Sequence, residues 1–172
     1  MTKPHNLQDL IKLNWDKTTK LGGIYIWGVK VRGKYIPLYV GKSKKIPQRI
    51  YEHLCAWRGG AYTIPSWKDI ADENKKWAVL YSPKSFKDFL KLQNNTHAQK
   101  TLKNVERDFF CCWEAINVDQ TRMRIIERDL AGLISKNNGL ISHKIIETAD
   151  INKVDIYAKE FFENWQKMHT DS

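Results

Sequence analysis

The pattern of apolar and polar positions predicts two adjoining β-strands early in the chain. Residues 22–30 and 34–41 are rich in β-branched and aromatic side chains, and Gly33 lies between them. This composition on both sides of a glycine is typical of a β-hairpin with a tight turn. A turn centred near Gly33 places Tyr25 and Tyr39 at similar distances from it. We therefore expect their rings to lie near each other on one face of the hairpin.

A helix is predicted directly after the hairpin. Gly41 interrupts the second strand, and Pro47 suits the first turn of a helix, where a missing N–H is tolerated. Apolar residues then recur at helical spacing, namely Ile46, Ile50, Leu54 and Trp57. Arg49 and His53 are four residues apart, so they are neighbours on an adjacent face and flank the core. The simpler alternative is a solvated pair at the helix surface.

Two later segments complete the predicted core. Residues 109–117 form an aromatic and apolar run that is typical of a buried strand, and residues 121–136 have the pattern of a helix. Glu127 lies at the margin of the apolar stripe of that helix. Burying such a charge costs several kcal/mol unless a cation is nearby. Either a metal ion or a salt bridge to Arg124 or Arg128 would remove this penalty.

The fold class that follows is α+β, with a small three-stranded antiparallel sheet flanked by helices. The sequence predicts a short N-terminal helix at residues 7–13. An amphipathic C-terminal helix is expected at about 151–168. The region at about 58–108 is predicted to be a helical or irregular insertion between the second and third core strands. We expect one domain over residues 1–172, with core motifs at 22–57 and 109–139.

Composition narrows the class of protein. The chain has 172 residues, of which 42% are hydrophobic and 12% aromatic, enough for a well-formed core. It contains neither an apolar run as long as a membrane span nor an apolar signal-peptide region, so a cytoplasmic location is expected. The three cysteines, Cys55, Cys111 and Cys112, lack the spacing of a zinc site or a disulfide framework, and buried free thiols are the expected state.

Positive charge is concentrated at one end of the chain. Residues 1–60 carry 12 Lys and Arg against 3 Asp and Glu, whereas residues 61–172 carry 17 against 16. The excess therefore accompanies the predicted hairpin and its following helix. Lys and Arg contacts to phosphates supply most sequence-independent affinity for nucleic acids, so a polyanionic partner is expected. A basic surface that only favours solubility is the alternative.

The ordered set of motifs resembles one enzyme family. The segments Gly23-Ile24-Tyr25 and Tyr39-Val40-Gly41 are followed by an arginine ten residues after Tyr39, Arg49, and by a histidine four residues later, His53. This arrangement is similar to that of the GIY-YIG nucleases, which include homing, restriction and excision-repair endonucleases. The motifs cover roughly the first third of the chain.

The resemblance implies a Mg²⁺-dependent DNA endonuclease (Mn²⁺ being the alternative ion) that uses a single metal ion. The residues implied to be catalytic are Tyr25, Tyr39, Arg49, His53 and Glu127. Glu127 is implied to bind the metal. Nucleic-acid contacts are expected from Lys42, Lys44, Lys45 and Asn138, with Asn137 as a rival for the family asparagine. Double-stranded or branched DNA is the expected partner, and cleavage of both strands would favour a dimer.

Two alternatives stay open at this point. Either Tyr25, as a phenolate favoured by nearby positive charge, or neutral His53 would take the proton from the attacking water. Arg49 would clamp the phosphate oxygens with its planar fork. The alternative function is a non-catalytic nucleic-acid-binding module on the same fold. Such a module needs the cations, but it does not need Glu127.

Overall fold

A computed structural model of the chain describes residues 1–12, 22–74, 76–83, 85–135 and 154–170. In chain order, its elements are α1 (Leu7–Lys12), β1 (Gly23–Val31), β2 (Lys34–Ser43), α2 (Ile46–Arg58), β3 (Ile64–Pro65), α3 (Trp67–Ala71), β4 (Val79–Tyr81), α4 (Phe86–Asn94), α5 (Thr96–Asp108), β5 (Phe109–Ala115), α6 (Gln120–Ser135) and α7 (Ile156–Thr170).

The main sheet has three antiparallel strands in the order β2-β1-β5, so β1 is central. This confirms the predicted α+β fold class, and the bounds of the strands lie within two residues of the predicted ones. The segment predicted as an insertion contains the small two-stranded sheet β3-β4 and three helices. The last of these, α5, packs against β1 and runs directly into β5.

The hairpin turn has the geometry expected from its glycine. Arg32 and Gly33 both have positive φ angles, 52° and 86°, as in the type I′ turns that match the twist of paired strands. An irregularity between Trp27 and Gly28 then shifts the register, so that Trp27 pairs with Tyr39. Tyr25 pairs with Gly41 and lies diagonally from Tyr39.

Apolar residues cover both faces of the sheet because side chains alternate along each strand. Tyr25, Trp27 and Val29 point to one face, where α2 and α5 supply the facing residues. Ile24, Ile26 and their neighbours on the other face pack against α6 and α7. The candidate catalytic hairpin is thus held between two hydrophobic layers.

The outer edge of β5 is covered by the N-terminal segment. The backbones of His5 and Cys111 exchange two N–H···O hydrogen bonds, and the N–H of Thr2 donates to the carbonyl of Trp113. The His5 ring stacks on Trp113 with 4.8 Å between centroids. Pairing of this edge protects it from contacts with other strands. The other edge strand of the sheet is β2, which carries Tyr39.

The cysteines divide between core and surface. Cys111 and Cys112 are buried in β5, as predicted, but the prediction is wrong for Cys55, which is exposed on α2. Cys55 lies two positions from both His53 and Trp57, which are buried, and two positions on a helix correspond to the opposite side. Among the described helices, none has the length and hydropathy needed to cross a membrane.

Candidate active site

Tyr25 and Tyr39 lie on the same face of the hairpin, as the sequence predicts. Their ring centroids are 6.3 Å apart, and the rings are inclined by 22°. Tyr25 is 1% exposed, whereas Tyr39 on the edge strand is only partly buried. Tyr39 is therefore the tyrosine of this pair that meets solvent, and Tyr25 lies behind it.

Two glycines of the recognised motifs make room for this arrangement. A Cβ atom at Gly41 would lie 2.4 Å from both Cζ and Oη of Tyr25. A Cβ atom at Gly23 would lie 1.9 Å from the carbonyl oxygen of Glu114 on β5. Real Cβ atoms do not approach other atoms this closely, so any larger residue would displace Tyr25 or part the strands. Glycine at both positions thus has a steric cause.

Helix α2 brings Arg49 and His53 to the tyrosines. Pro47 lies in its first turn, as predicted. His53 is 3% exposed, and its ring centroid is 4.6 Å from that of Tyr39. The side chain of Arg49 is 44% exposed, and its Nη1 lies 2.8 Å from Oε2 of Glu52. A solvated pair of Arg49 and His53 is therefore the wrong description, because His53 belongs to the interior and Arg49 pairs with Glu52.

A chain of hydrogen bonds links Tyr25 to a second tyrosine through the imidazole. Tyr25 Oη is 2.6 Å from Nε2 of His53. Nδ1 of the same ring is hydrogen-bonded to the hydroxyl of Tyr62. A neutral imidazole has one donor and one acceptor nitrogen, so the two tyrosines have opposite hydrogen-bonding roles toward the ring.

Tyr62 was missed by the sequence analysis, which placed it in the insertion without a role. Gly60 ends α2 in a left-handed conformation, with φ of 67°, and the N–H of Ala61 donates to the carbonyl of Ala56. This is a Schellman ending, which turns the chain back along the helix. The hydroxyl of Tyr81 also donates to the carbonyl of Gly60, at 3.0 Å. The glycine pair at 59–60 could have indicated that Tyr62 lies near the helix, since residues after such an ending return toward its last turns.

Burial keeps both members of the Tyr25–His53 pair neutral. Desolvation, with a smaller contribution from Tyr39, raises the pKa of Tyr25 far above its ordinary value, although Arg49 acts in the opposite direction. Desolvation, followed by the positive charge of Arg49, lowers the pKa of His53 to about 4. Near neutral pH, Tyr25 is therefore a phenol and His53 an uncharged imidazole.

The low pKa of His53 predicts a loss of stability in weak acid. The unfolded chain binds a proton at His53 near its ordinary pKa, while the folded chain binds it only near about 4. Between these values the unfolded state holds more protons, so the free energy of unfolding falls as the pH falls. We expect His53 to account for a loss of roughly 2 kcal/mol between about pH 7 and pH 5.

Chemical denaturation of the wild type and of His53→Gln at both pH values measures this contribution. Glutamine has no proton to gain in this range, and all other titrating groups are common to the two proteins. The difference between their unfolding free energies should shrink by the stated amount at the lower pH. A difference that does not change with pH would show that His53 titrates normally in the folded protein.

Glu127 on α6 lies close enough to Tyr39 to act on it through its charge. Its charge contributes to the raised pKa of Tyr39, after the larger effects of burial and of Tyr62. Its Oε2 atom lies 3.1 Å from Nζ of Lys42, and the side chains are 12% and 22% exposed. The predicted alternative of a salt bridge to Arg124 or Arg128 is therefore replaced by a pairing with Lys42. Arg128 instead binds Asp129.

The surroundings of Glu127 fit a hard divalent cation. A largely buried carboxylate needs a compensating positive charge, which Lys42 supplies in the free protein. Mg²⁺ and Mn²⁺ prefer oxygen ligands, and Mg²⁺ is typically bound through one or two carboxylates together with substrate phosphates. In the described part of the chain, no three His, Cys, Asp or Glu side chains cluster as a metal site. Glu127 is the residue that would hold the ion.

The other predicted contacts with nucleic acid are placed only in part. Lys44 and Lys45, between β2 and α2, are exposed, and Lys42 is partly buried. Asn138 and its rival Asn137 lie outside the described residues. The placed lysines therefore form a short basic segment, residues 42–45, beside the tyrosines.

Comparison with known families agrees with this geometry. The family model described as the GIY-YIG catalytic domain matches residues 21–103, which include Tyr25, Tyr39, Arg49 and His53. Searches of curated proteins and of solved structures found no match. The matched segments are those that assemble the tyrosines, the arginine and the histidine around the β1–β2 hairpin. The match over residues 21–103 therefore supports membership of the GIY-YIG nuclease family.

Proposed function

We propose that this protein is a Mg²⁺- or Mn²⁺-dependent DNA endonuclease that hydrolyses phosphodiester bonds. The observation that carries the proposal is the short hydrogen bond between Tyr25 and His53, at 2.6 Å. It lies in a cluster that has a guanidinium, Arg49, and a carboxylate, Glu127, as further members. Hydrolysis of a phosphodiester requires a base, a cation for the phosphate oxygens and a ligand for a metal ion.

Arg49 and Tyr39 are the proposed contacts of the scissile phosphate, and the support is that both reach solvent. The guanidinium is close to Tyr25 and Tyr39, and its charge and hydrogen bonding partly oppose the rise in the pKa of both that burial causes. Arg49 uses Nη1 for Glu52, which leaves other N–H donors for phosphate oxygens. A phosphate bound there lies beside the hydroxyl groups of both tyrosines.

In the proposed reaction, Tyr25 takes a proton from the attacking water while its own proton passes to Nε2 of His53. The water oxygen forms a bond to phosphorus, and the bond from phosphorus to the 3′ oxygen breaks. A proton then returns to the departing 3′ oxygen, so the site ends in its initial protonation state. The bound phosphate also offsets the charge of Arg49, which favours a proton on His53 during this transfer.

Glu127 would hold the divalent ion, which supplies Lewis acidity for the developing negative charge when bound. Lys42 then loses its carboxylate partner and becomes available to a phosphate. Together with Lys44 and Lys45, it forms the proposed contact with the DNA backbone. Double-stranded or branched DNA is the proposed substrate, and a dimer is proposed for cleavage of both strands.

A non-catalytic nucleic-acid-binding module is the second candidate. The exposed lysines of the 42–45 segment favour binding, but they give no reason for a buried Tyr25–His53 pair. Incubation of supercoiled plasmid and branched oligonucleotides with Mg²⁺ or Mn²⁺, with and without EDTA, separates the two. Cleavage that EDTA abolishes supports the enzyme, whereas retention of intact DNA in a gel-shift assay under all conditions supports the binding module.

Replacing Arg49 with lysine should reduce cleavage far more than binding. The change keeps the charge and removes the planar fork that matches phosphate oxygens. We expect the single-turnover rate at saturating DNA to fall by about a hundredfold or more, by analogy with the loss of one oxyanion donor. The dissociation constant of the DNA should change only by a small factor.

Arg58→Lys is the matched control. Arg58 belongs to the same helix, and its fork binds Glu106 through Nε and Nη2 at 2.6 and 3.0 Å, away from the tyrosines. This control should keep the wild-type rate. If Arg49→Lys also cleaves within a few-fold of wild type, Arg49 contacts the DNA but does not stabilise the transition state.

A further inference from the structure

The imidazole of His53 is held at both nitrogens, and the second partner is outside the sequence motifs. Tyr25 lies at Nε2, and the hydroxyl of Tyr62 lies at Nδ1. The side chain is 3% exposed, so water gives little competition for either nitrogen. In such a setting, the hydrogen bond at one nitrogen decides which tautomer the ring adopts.

We propose that Tyr62 is a positioning residue whose hydroxyl oxygen accepts the Nδ1–H of His53 and so keeps Nε2 unprotonated toward Tyr25. This inference rests on the proposed function, because an unprotonated Nε2 is what the transfer of the Tyr25 proton requires. If Tyr62 instead donated to Nδ1, the proton of His53 would be on Nε2, and the ring could not accept one from Tyr25.

The backbone around Tyr62 is built to hold the hydroxyl in place. The Schellman ending at Gly60 fixes the start of the loop, and β3 follows two residues after Tyr62. The ring of Tyr62 is roughly parallel to that of His53, with an interplanar angle of 28° and 5.7 Å between centroids. A residue held in this way sets the orientation of the imidazole without touching the substrate.

Several other charged and titratable groups surround His53, but Tyr62 is the proposed determinant of its tautomer. The hairpin contributes Tyr25 and Tyr39, which contact the ring, and α2 itself contributes Arg49 and Glu52. Glu52 is bound to Arg49 and is about half exposed. The hydrogen bond at Nδ1 is made by Tyr62.

Nitrogen-15 NMR of histidine-labelled full-length protein near pH 7 tests the proposal directly. We expect His53 in the wild type to be protonated at Nδ1 and unprotonated at Nε2. In Tyr62→Phe the two nitrogens should become averaged or exchange roles. A wild-type spectrum with the proton on Nε2 would overturn the proposal, whatever happens to any variant.

Single-turnover cleavage gives the second readout. Tyr62→Phe should lower the rate at saturating DNA at least about tenfold, by analogy with the loss of a residue that orients a metal-binding histidine. The DNA concentration that gives half of the maximal single-turnover rate should change little, because the proposed role of Tyr62 is toward His53 and not toward the DNA. Retention of the wild-type rate and tautomer in Tyr62→Phe would show that the hydroxyl has no positioning role.

Tyr81→Phe is the matched control, since it removes a hydroxyl that hydrogen-bonds within the same loop but does not touch His53. It should lower thermal stability and leave both the tautomer and the rate unchanged. Equal losses of rate in the two variants would attribute the effect to the loop and overturn the positioning role. A wild type that cleaves no DNA would overturn the proposed function instead, and the NMR measurement would still decide the tautomer.

Discussion

Replacing Glu127 with glutamine should abolish DNA cleavage while leaving DNA binding nearly intact. Glutamine keeps the size of the side chain and an oxygen for Lys42, but it loses the negative charge that a divalent ion requires. No Lys or Arg is removed, so the salt dependence of DNA binding should be unchanged. The expected loss is complete within the sensitivity of a plasmid assay.

The same variant should lose its response to metal in the absence of DNA. A ligand that binds only the folded state raises the apparent stability by RT ln(1 + [L]/Kd), so Mg²⁺ or Mn²⁺ should raise the melting temperature of the wild type. Glu127→Gln should show no such rise. Glu106→Gln is a suitable control, because Glu106 is a surface carboxylate paired with Arg58. It should keep the metal response.

An equal rise in melting temperature for wild type and Glu127→Gln would remove Glu127 from the metal site. Its carboxylate would then be only the partner of Lys42 in a partly buried ion pair. Retained cleavage in Glu127→Gln would lead to the same conclusion by an independent route. The two measurements also separate loss of the metal from loss of the fold, since only folded protein shows a cooperative melting transition.

The elements that the sequence predicted are those set by local patterns. The hairpin follows from two β-branched and aromatic segments around Gly33, and β5 follows from a continuous apolar run. Helix α6 follows from its periodicity and lies within one residue of the predicted bounds. In each case the evidence lies within about fifteen consecutive residues, where strand and helix periodicity operate.

Burial of His53 could not be predicted from the helix alone. Periodicity places Arg49 and His53 beside the same apolar stripe, yet the side chain of Arg49 is about half exposed and that of His53 is buried. The difference arises from what packs above each residue. The rings of Tyr25 and Tyr39 cover His53 from the hairpin, and Tyr62 covers it from the loop after α2.

The partner of Glu127 is also a non-local feature. The sequence suggested partners on the same helix, Arg124 and Arg128, of which only Arg124, three positions away, has a spacing that a helix brings onto one face. The observed partner, Lys42, lies at the end of β2, and it reaches Glu127 because α6 packs against that strand. Contacts between elements distant in sequence follow from the tertiary packing, which the local pattern does not contain.

Tyr25→Phe should lower the single-turnover cleavage rate by about a hundredfold to ten-thousandfold, the usual contribution of a general base. The ring would still fill the space beside Gly41, so the fold should be preserved. The hydroxyl of Tyr25 alone is lost, and His53 keeps its contact with Tyr62. Tyr51→Phe, which changes an exposed residue of α2, is the control and should cleave at the wild-type rate.

The pH dependence of the wild type distinguishes the tyrosine from a histidine that acts alone. A solvated histidine base would give a rate that rises through its ordinary pKa, at roughly pH 6 to 7. Because the pKa of His53 is lowered to about 4, kcat/KM, which reports on the free enzyme, should already be level above about pH 5. His53→Gln should lose most of the rate and retain no acid limb near this pH.

The remaining alternative is a Tyr25 that is already deprotonated before the reaction begins. It predicts a cleavage rate that keeps rising as the pH becomes alkaline. Burial raises the pKa of Tyr25 far above its ordinary value, so this rise would continue to the highest pH that the fold tolerates. Transfer of the Tyr25 proton to neutral His53 instead gives a plateau across the neutral range, because neither group changes its charge there. In both Tyr25→Phe and His53→Gln, the residual cleavage rate should no longer show this plateau. Were Tyr25→Phe to keep the full rate and the same plateau, Tyr25 would be a packing residue and the base would have to be sought elsewhere.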